Sequence, residues 1–93
     1  MTEVDRIPGD ATGKWRTTTE NGTTHDWDMD EFTFKRDPAP TSLSWGMDES
    51  FNEKVHLIRN IGSYPEVGSG FLVFFTDGMN VRSSHVVKIE RLD

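Results

Sequence analysis

The strongest constraint on the fold is a hairpin in residues 13–28, whose aromatic residues and charges agree on one strand register. An Asn21-Gly22 turn between two threonine-rich runs is typical of a β-hairpin. A two-residue turn would place Trp15 and Trp27 on opposite faces of the ribbon. A three-residue turn, with its glycine in the left-handed conformation, instead pairs Trp15 with Trp27. We therefore predict the three-residue turn.

The same register pairs opposite charges on the other face of the ribbon. It sets Lys14 opposite Asp28 and Arg16 opposite Asp26, and cross-strand ion pairs of this kind are favourable. It also places His25 on the face that carries the two tryptophans. The hairpin is therefore predicted to be a rigid antiparallel ribbon with a partly buried core histidine.

Turn residues divide the rest of the chain into short apolar or alternating runs. Six strands are predicted, at residues 14–19, 23–29, 32–34, 55–62, 71–76 and 84–91. The first three form an antiparallel meander. In the last strand, Val87 and Ile89 are expected to face the interior. Short strands without a long helix predict an all-β fold, in the form of a small antiparallel barrel or sandwich.

The length of 93 residues is that of one domain. We expect a mobile N-terminal leader at residues 1–12, because Pro8-Gly9-Asp10 interrupts it and no periodicity is visible. A single β domain then occupies residues 13–93. It includes a long loop at residues 38–53, which is predicted to hold at most one short helical turn, capped by Ser44.

Composition and charge argue against several classes of function. The net charge of −6 opposes binding to a phosphate backbone, where affinity comes from Lys and Arg. The chain has no cysteine, so neither a disulfide framework nor a thiolate metal site is expected. The longest apolar run is too short to cross a membrane, and the charged N-terminus lacks the apolar segment of a signal peptide. We expect a cytoplasmic protein that binds neither nucleic acid nor a membrane.

The acidic run at residues 25–31 resembles the start of a calcium-binding EF-hand loop. Asp26, Asp28 and Asp30 match the first three ligands of such a loop. Glu31 then stands where the loop requires glycine. We therefore interpret the run as a solvated strand face without a metal ion.

Other residues resemble parts of active sites without completing one. His25, His56 and His85 lack the spacing of a zinc site. Ser83-Ser84-His85, with Asp77 nearby, contains the residue types of a nucleophile, a base and an orienting acid. However, the motif that exposes a nucleophilic serine at a strand-to-helix turn is missing. We predict no catalytic residue, no metal ligand and no cofactor.

The fifth predicted strand is apolar on both faces, whereas a small barrel buries only one face of each strand. Its odd-numbered residues fill the interior, and Leu72 and Phe74 then point outward. Large apolar side chains that lie together on a surface need a cover. Either Trp45, Met47 and Phe51 of the long loop fold back over them, or a partner or second copy of the chain binds there. These five residues are the candidate partner-binding site.

Both ends of the chain carry a recognisable pattern. The matching residues are Trp15, Thr17, Thr19, Asn21-Gly22-Thr23, Asp28, Arg36, Val67-Gly68 and, in a row, Ser83-Ser84-His85-Val86-Val87-Lys88-Ile89-Glu90. This pattern resembles that of small uncharacterised all-β accessory proteins of actinobacteriophages and actinobacteria. Residues 38–53 have no counterpart in it. The resemblance implies a phage-encoded accessory protein that acts in the cytoplasm of a bacterial host, and it carries no established activity.

Together these observations predict a non-enzymatic protein-interaction module that acts on a host protein or associates with itself. One alternative is an acidic decoy that imitates nucleic acid, based on the net charge and on a set of carboxylates in the first hairpin and the turn after it. That set is Glu20, Asp26, Asp28, Asp30 and Glu31. Two further alternatives are a virion or assembly component joined by strand pairing and, through His85, a small hydrolase.

Overall fold

The computed structural model describes residues 2–38 and 54–92. These residues form eight strands and no helix, so no described segment could cross a membrane as a helix. The strands are β1 (Thr2–Val4), β2 (Lys14–Thr19), β3 (Thr24–Asp28), β4 (Thr33–Asp37), β5 (His56–Ser63), β6 (Leu72–Phe75), β7 (Asn80–Arg82) and β8 (Val86–Arg91). The all-β prediction is confirmed. The six predicted strands correspond to β2–β6 and β8, and the structure adds β1 and β7.

All eight strands belong to one antiparallel sheet with the order β1-β8-β2-β3-β4-β5-β6-β7. Within the described ranges the sheet does not close into a barrel, because β1 and β7 lie at its ends and do not pair. The connection between β5 and β6 contacts the other end of the sheet instead. The Val67 N–H donates to the Asp5 carbonyl and the Gly68 N–H to the Val86 carbonyl, both at 2.8 Å. The predicted barrel or sandwich is therefore corrected to an open sheet.

The first hairpin has the predicted register. Trp15 lies opposite Trp27, and the two charge pairs face each other as expected. The turn contains three residues, since the Thr19 N–H donates to the Thr23 carbonyl at 2.9 Å. Gly22 adopts a φ of 84°, which is the left-handed conformation that the extra turn residue requires.

An aromatic cluster forms the centre of the core. Trp27 packs edge-on against Phe34 and Phe71, with ring centroids 4.8 Å apart in each case. The buried apolar residues are Ile7, Trp15, Trp27, Phe34, Ile58, Phe71, Val73, Phe75, Val81, Val86 and Ile89. The inward face of β6 is therefore fully buried, as the alternation of the predicted fifth strand requires.

The first residues of the chain belong to the sheet and the core. β1 pairs with β8, and Ile7 is buried with its N–H donating to the Pro65 carbonyl at 3.0 Å. The segment predicted as a mobile leader thus contributes one strand and one core side chain. Its partner strand is remote in sequence, and a three-residue strand shows no periodicity that a sequence pattern could reveal.

The inward face of β8 differs from the prediction at one residue. Val86 and Ile89 are buried, whereas Val87 is 53% exposed. The cause is a β-bulge against β2, where Thr18 pairs with Lys88 and Thr19 with Val86, so Val87 is the unmatched residue. A bulge shifts the alternation of side chains by one position. The prediction that Val87 faces the interior is therefore wrong.

Candidate interaction surface on β5, β6 and β7

The outward face of β6 has an aromatic residue at its centre. Phe74 lies between Asn60 of β5 and Asn80 of β7 in one cross-strand row. Its side chain is half-buried, and the Arg59 guanidinium lies 5.8 Å from the centroid of its ring, within the range of a cation–π interaction. Arg59 Nε also donates a hydrogen bond to Asn60 Oδ1 at 3.2 Å. This contact helps to hold the guanidinium near the ring.

A second row lies next to the first. Here Leu72, also half-buried, stands between Ser63 of β5 and Arg82 of β7. Leu72 and Arg82 border an open cleft of about 340 Å³, whose lining also includes His85. Each row therefore has one large apolar side chain at its centre and polar or cationic side chains at its ends.

A glycine in β5 lets the two apolar side chains lie close to the sheet. A Cβ added to Gly62 would stand 3.0 Å from the Phe74 ring and 3.2 Å from a Leu72 methyl group. Gly62 is also the unmatched residue where the β5–β6 register shifts between Ile61 and Ser63. Backbone of the same chain thus covers one side of Phe74 and Leu72, which explains why these residues are half-buried.

The charge on this part of the sheet has one sign. β5, β6 and β7 contain no acidic residue, and Arg59 and Arg82 are cationic. We call the side chains of the two cross-strand rows, together with Arg59, the β5–β7 face. Its members are Arg59, Asn60, Ser63, Leu72, Phe74, Asn80 and Arg82. It is therefore a local cationic and apolar surface on a chain whose net charge is −6.

The structure brings together two of the five predicted site residues. Leu72 and Phe74 are neighbours at the centre of the β5–β7 face, whereas Trp45, Met47 and Phe51 lie outside the described residues. Sequence reasoning missed the arginines of this face. The signal was present for one of them: an Asp-Gly turn after an apolar strand predicts a returning strand, and that strand ends at Arg82.

The acidic run of the first hairpin takes part in local structure. Asp26 accepts two hydrogen bonds from Arg16, at 2.7 and 3.3 Å, and these contacts with Asp26 raise the pKa of Arg16. Asp28 Oδ1 accepts the Asp30 N–H at 3.0 Å, and Asp30 Oδ1 accepts the Gly13 N–H at 3.2 Å. No three His, Cys, Asp or Glu residues in the described ranges are placed to share a metal ion.

His25 is a core residue, and it is more deeply buried than expected. It is 2% exposed, and its ring meets that of Phe71 edge-on at a centroid distance of 4.8 Å. Thr17 Oγ1 lies 3.5 Å from His25 Nδ1 and accepts the Trp27 indole N–H at 3.1 Å. Burial and, to a smaller extent, the charge of Arg36 lower the pKa of His25 to about 3. The imidazole is therefore neutral at pH 7.

Ser83 has a structural role at the end of β7. Its Oγ accepts the Phe71 N–H at 2.9 Å and donates to the Ser84 carbonyl at 2.8 Å. The Ser83 hydroxyl proton is thus hydrogen-bonded to a carbonyl, whereas a nucleophilic serine needs that proton hydrogen-bonded to a base. Asp77 accepts the Met79 N–H at 2.9 Å within the hairpin turn. Ser83 and Asp77 thus each bond to backbone groups of their own segment.

Compared with protein-family models, with curated proteins and with solved structures, the chain matches none of them. The β5–β7 face must therefore be interpreted from its own chemistry. The resemblance to small actinobacteriophage proteins stays a prediction.

Proposed function

We propose that this chain is a non-enzymatic interaction module that binds a protein partner through the β5–β7 face. The observation that carries the proposal is the pair of cross-strand rows, in which Phe74 and Leu72 are flanked by polar residues and by Arg82. Protein-binding surfaces commonly combine aromatic and arginine residues at the centre with a polar rim. A monomer gains nothing in stability from leaving such apolar side chains half in solvent.

The rigidity of the surroundings supports this proposal. Val73 and Phe75, which alternate with Leu72 and Phe74 along β6, are buried in the core. The core packing of these two side chains fixes the position of β6. Gly62 and Arg59 hold the outward side chains from the side. A surface that is already ordered loses little conformational entropy when it binds. The proposed site is thus preorganised, which favours binding.

From the resemblance stated above, we further propose that the protein is phage-encoded and acts on a protein in the cytoplasm of a bacterial host. The acidic decoy gains no support as a function, because Asp26, Asp28 and Asp30 bond within the first hairpin and the turn that follows it. Glu20 and Glu31 lie in the turns at opposite ends of β3.

The experiment is affinity capture from host lysate with matched surface variants. Phe74→Ser and Leu72→Ser should lose a protein that the wild-type chain retains, while Val87→Ser should keep it. Val87 is an exposed apolar residue of β8, so it controls for the loss of any surface apolar side chain. Thermal melting of each variant checks that the fold persists. Equal retention by folded Phe74→Ser, Leu72→Ser and Val87→Ser would reject the β5–β7 face as the binding site.

A further inference from the structure

The outer edge of β7, unpaired among the described residues, adds a second set of binding groups next to the β5–β7 face. In the described part of the sheet, β7 pairs with β6 alone and stands at the end of the strand order. The Phe75 N–H donates to the Met79 carbonyl at 2.8 Å, and the Ser83 N–H donates to the Phe71 carbonyl at 3.0 Å. Residues 79, 81 and 83 therefore direct their backbone groups toward β6.

Backbone groups alternate in direction along an antiparallel strand. The N–H and C=O groups of Asn80 and Arg82 consequently point away from β6, toward the open edge. Their side chains lie on the β5–β7 face, because Asn80 is opposite Phe74 and Arg82 is opposite Leu72. Val81 points inward and is 5% exposed. An extended chain placed beside β7 would thus meet hydrogen-bonding groups and extend both rows at once.

We infer that an extended, acidic segment of the partner protein binds by adding a strand to the free edge of β7, with its carboxylates beside Arg82. This inference rests on the proposed interaction function and specifies how the partner binds. Main-chain hydrogen bonds supply affinity in this mode of recognition, and alternate side chains supply specificity. Here every second side chain of the added strand would lie on the β5–β7 face, beside Arg82 and in line with the row of Leu72 and Arg82.

Charge complementarity selects the occupant. β5, β6 and β7 carry arginines and no carboxylate, so an acidic segment is attracted to this face. It is repelled by the net charge of −6 carried by the whole chain. Attraction at this face, set against repulsion by the rest of the chain, orients an acidic segment toward β7. An acidic chain would therefore approach the sheet at β7 in preference to the β1 end, where Glu3 stands on the edge strand.

The same features disfavour indiscriminate pairing. β7 is three residues long and carries an arginine, and short, charged edge strands are a common protection against edge-to-edge association. A second copy of β7, paired antiparallel about Val81, would place Arg82 opposite Asn80 of that copy. The two arginines would then be diagonal neighbours of like charge on one face, which is unfavourable.

The test uses a fluorescent synthetic peptide of about seven residues, the length of an ordinary strand, in which Glu alternates with Val. Binding to the full chain is followed by fluorescence anisotropy. We expect saturable binding that weakens as salt is raised, and that Arg82→Glu weakens about tenfold or more. A peptide with Lys in place of Glu should not bind. The inference is overturned if the Glu peptide does not bind, or if the Lys peptide binds as well.

A proline variant separates edge pairing from binding on the face alone. Asn80→Pro removes one outward N–H without removing a hydrogen bond to β6, and proline is tolerated at such edge positions. It should weaken binding about tenfold, while Asn80→Thr, which keeps the N–H, should not. A second check leaves the protein unchanged. Two versions of the Glu peptide are made, one N-methylated at its odd-numbered backbone amides and the other at its even-numbered ones. One of the two versions should lose binding.

Two results distinguish this inference from the proposed function. If Phe74→Ser abolishes capture of the partner while Asn80→Pro and amide methylation change nothing, the face binds its partner without strand addition. The inference then falls and the proposed function stands. If light scattering shows a dimer that Asn80→Pro dissociates and the Glu peptide does not bind, the edge belongs to a second copy, and the acidic-segment inference is overturned.

Discussion

The two hairpins β2–β3 and β6–β7 have the same turn but different surroundings. Each has a three-residue loop that ends in a left-handed glycine, with φ of 84° at Gly22 and 90° at Gly78. The hairpin β2–β3 lies in the middle of the sheet, between β8 and β4, whereas β7 stands at an end. The local turn conformation is therefore the same in both hairpins. Position in the sheet decides which hairpin has an outer strand edge.

The two hairpins also differ in how their outward charges are paired across the strands. In β2–β3 every outward acid lies opposite a base, as with Arg16 and Asp26, whose charged atoms are 2.7 Å apart. In β6–β7 the cation Arg82 lies opposite an apolar residue, Leu72. A charge that is balanced within its own ribbon contributes to structure, and a charge without a cross-strand counterpart is available for recognition. The hairpin β2–β3 is therefore part of the scaffold, and β6–β7 carries the proposed binding surface.

The largest expected difference between the hairpins concerns their aromatic residues. Trp27→Ala should lower the free energy of unfolding by about 3–5 kcal/mol, because it removes a buried ring from the core. Phe74→Ala should cost about 1 kcal/mol, since that side chain is only half-buried. Urea denaturation followed by circular dichroism measures both. Equal losses would break the division into scaffold and surface.

The next expected effect is a pH dependence of the folding stability that arises from β2–β3. His25 is neutral in the folded chain and has a pKa of about 3, below the ordinary value of 6.5, so the unfolded state binds more protons between these values. Stability should therefore be complete above about pH 6.5 and should fall by about 2 kcal/mol from pH 7 to pH 5.

The control for this pH dependence is His25→Phe, which removes the buried titrating group of β2–β3. Denaturation midpoints at several pH values should show a flatter profile for the variant than for the wild type. The hairpin β6–β7 has no buried titratable side chain. An unchanged pH dependence in His25→Phe would show that another group is responsible.

The smallest effect tests whether the two turns are equivalent. Gly22→Ala and Gly78→Ala should each cost about 1 kcal/mol, because a residue with a Cβ is strained in the left-handed conformation. The space around a Cβ at Gly78 is open, so strain is the whole cost at that site. Replacement by Asn, which tolerates this conformation better, should cost less at both positions. Thermal or urea denaturation that gives very different losses at Gly22 and Gly78 would show that the surroundings also act on the turn.

Sequence reasoning predicted the elements whose partners are near in the chain. The register of β2–β3 follows from residues at most fourteen positions apart, and the inward residues of β6 follow from simple alternation. It failed at Val87, where a bulge shifts the alternation. In the proposed binding site, the central pair Leu72 and Phe74 was predicted from the excess of apolar residues in one strand. Arg59 joins them only through a fold-dependent contact with the Phe74 ring.

By itself, then, the sequence determined the all-β class, the turn at Gly22 and the pairing of Trp15 with Trp27, because turn conformation and short-range pairing depend on neighbouring residues. Only the tertiary structure decided that β1 pairs with β8 and that β7 is the last strand of the sheet formed by residues 2–38 and 54–92. Pairing between distant segments depends on which edges remain after local strands have formed, and no periodicity encodes it. The position of the open edge beside Leu72 and Arg82 is therefore a property of the folded sheet.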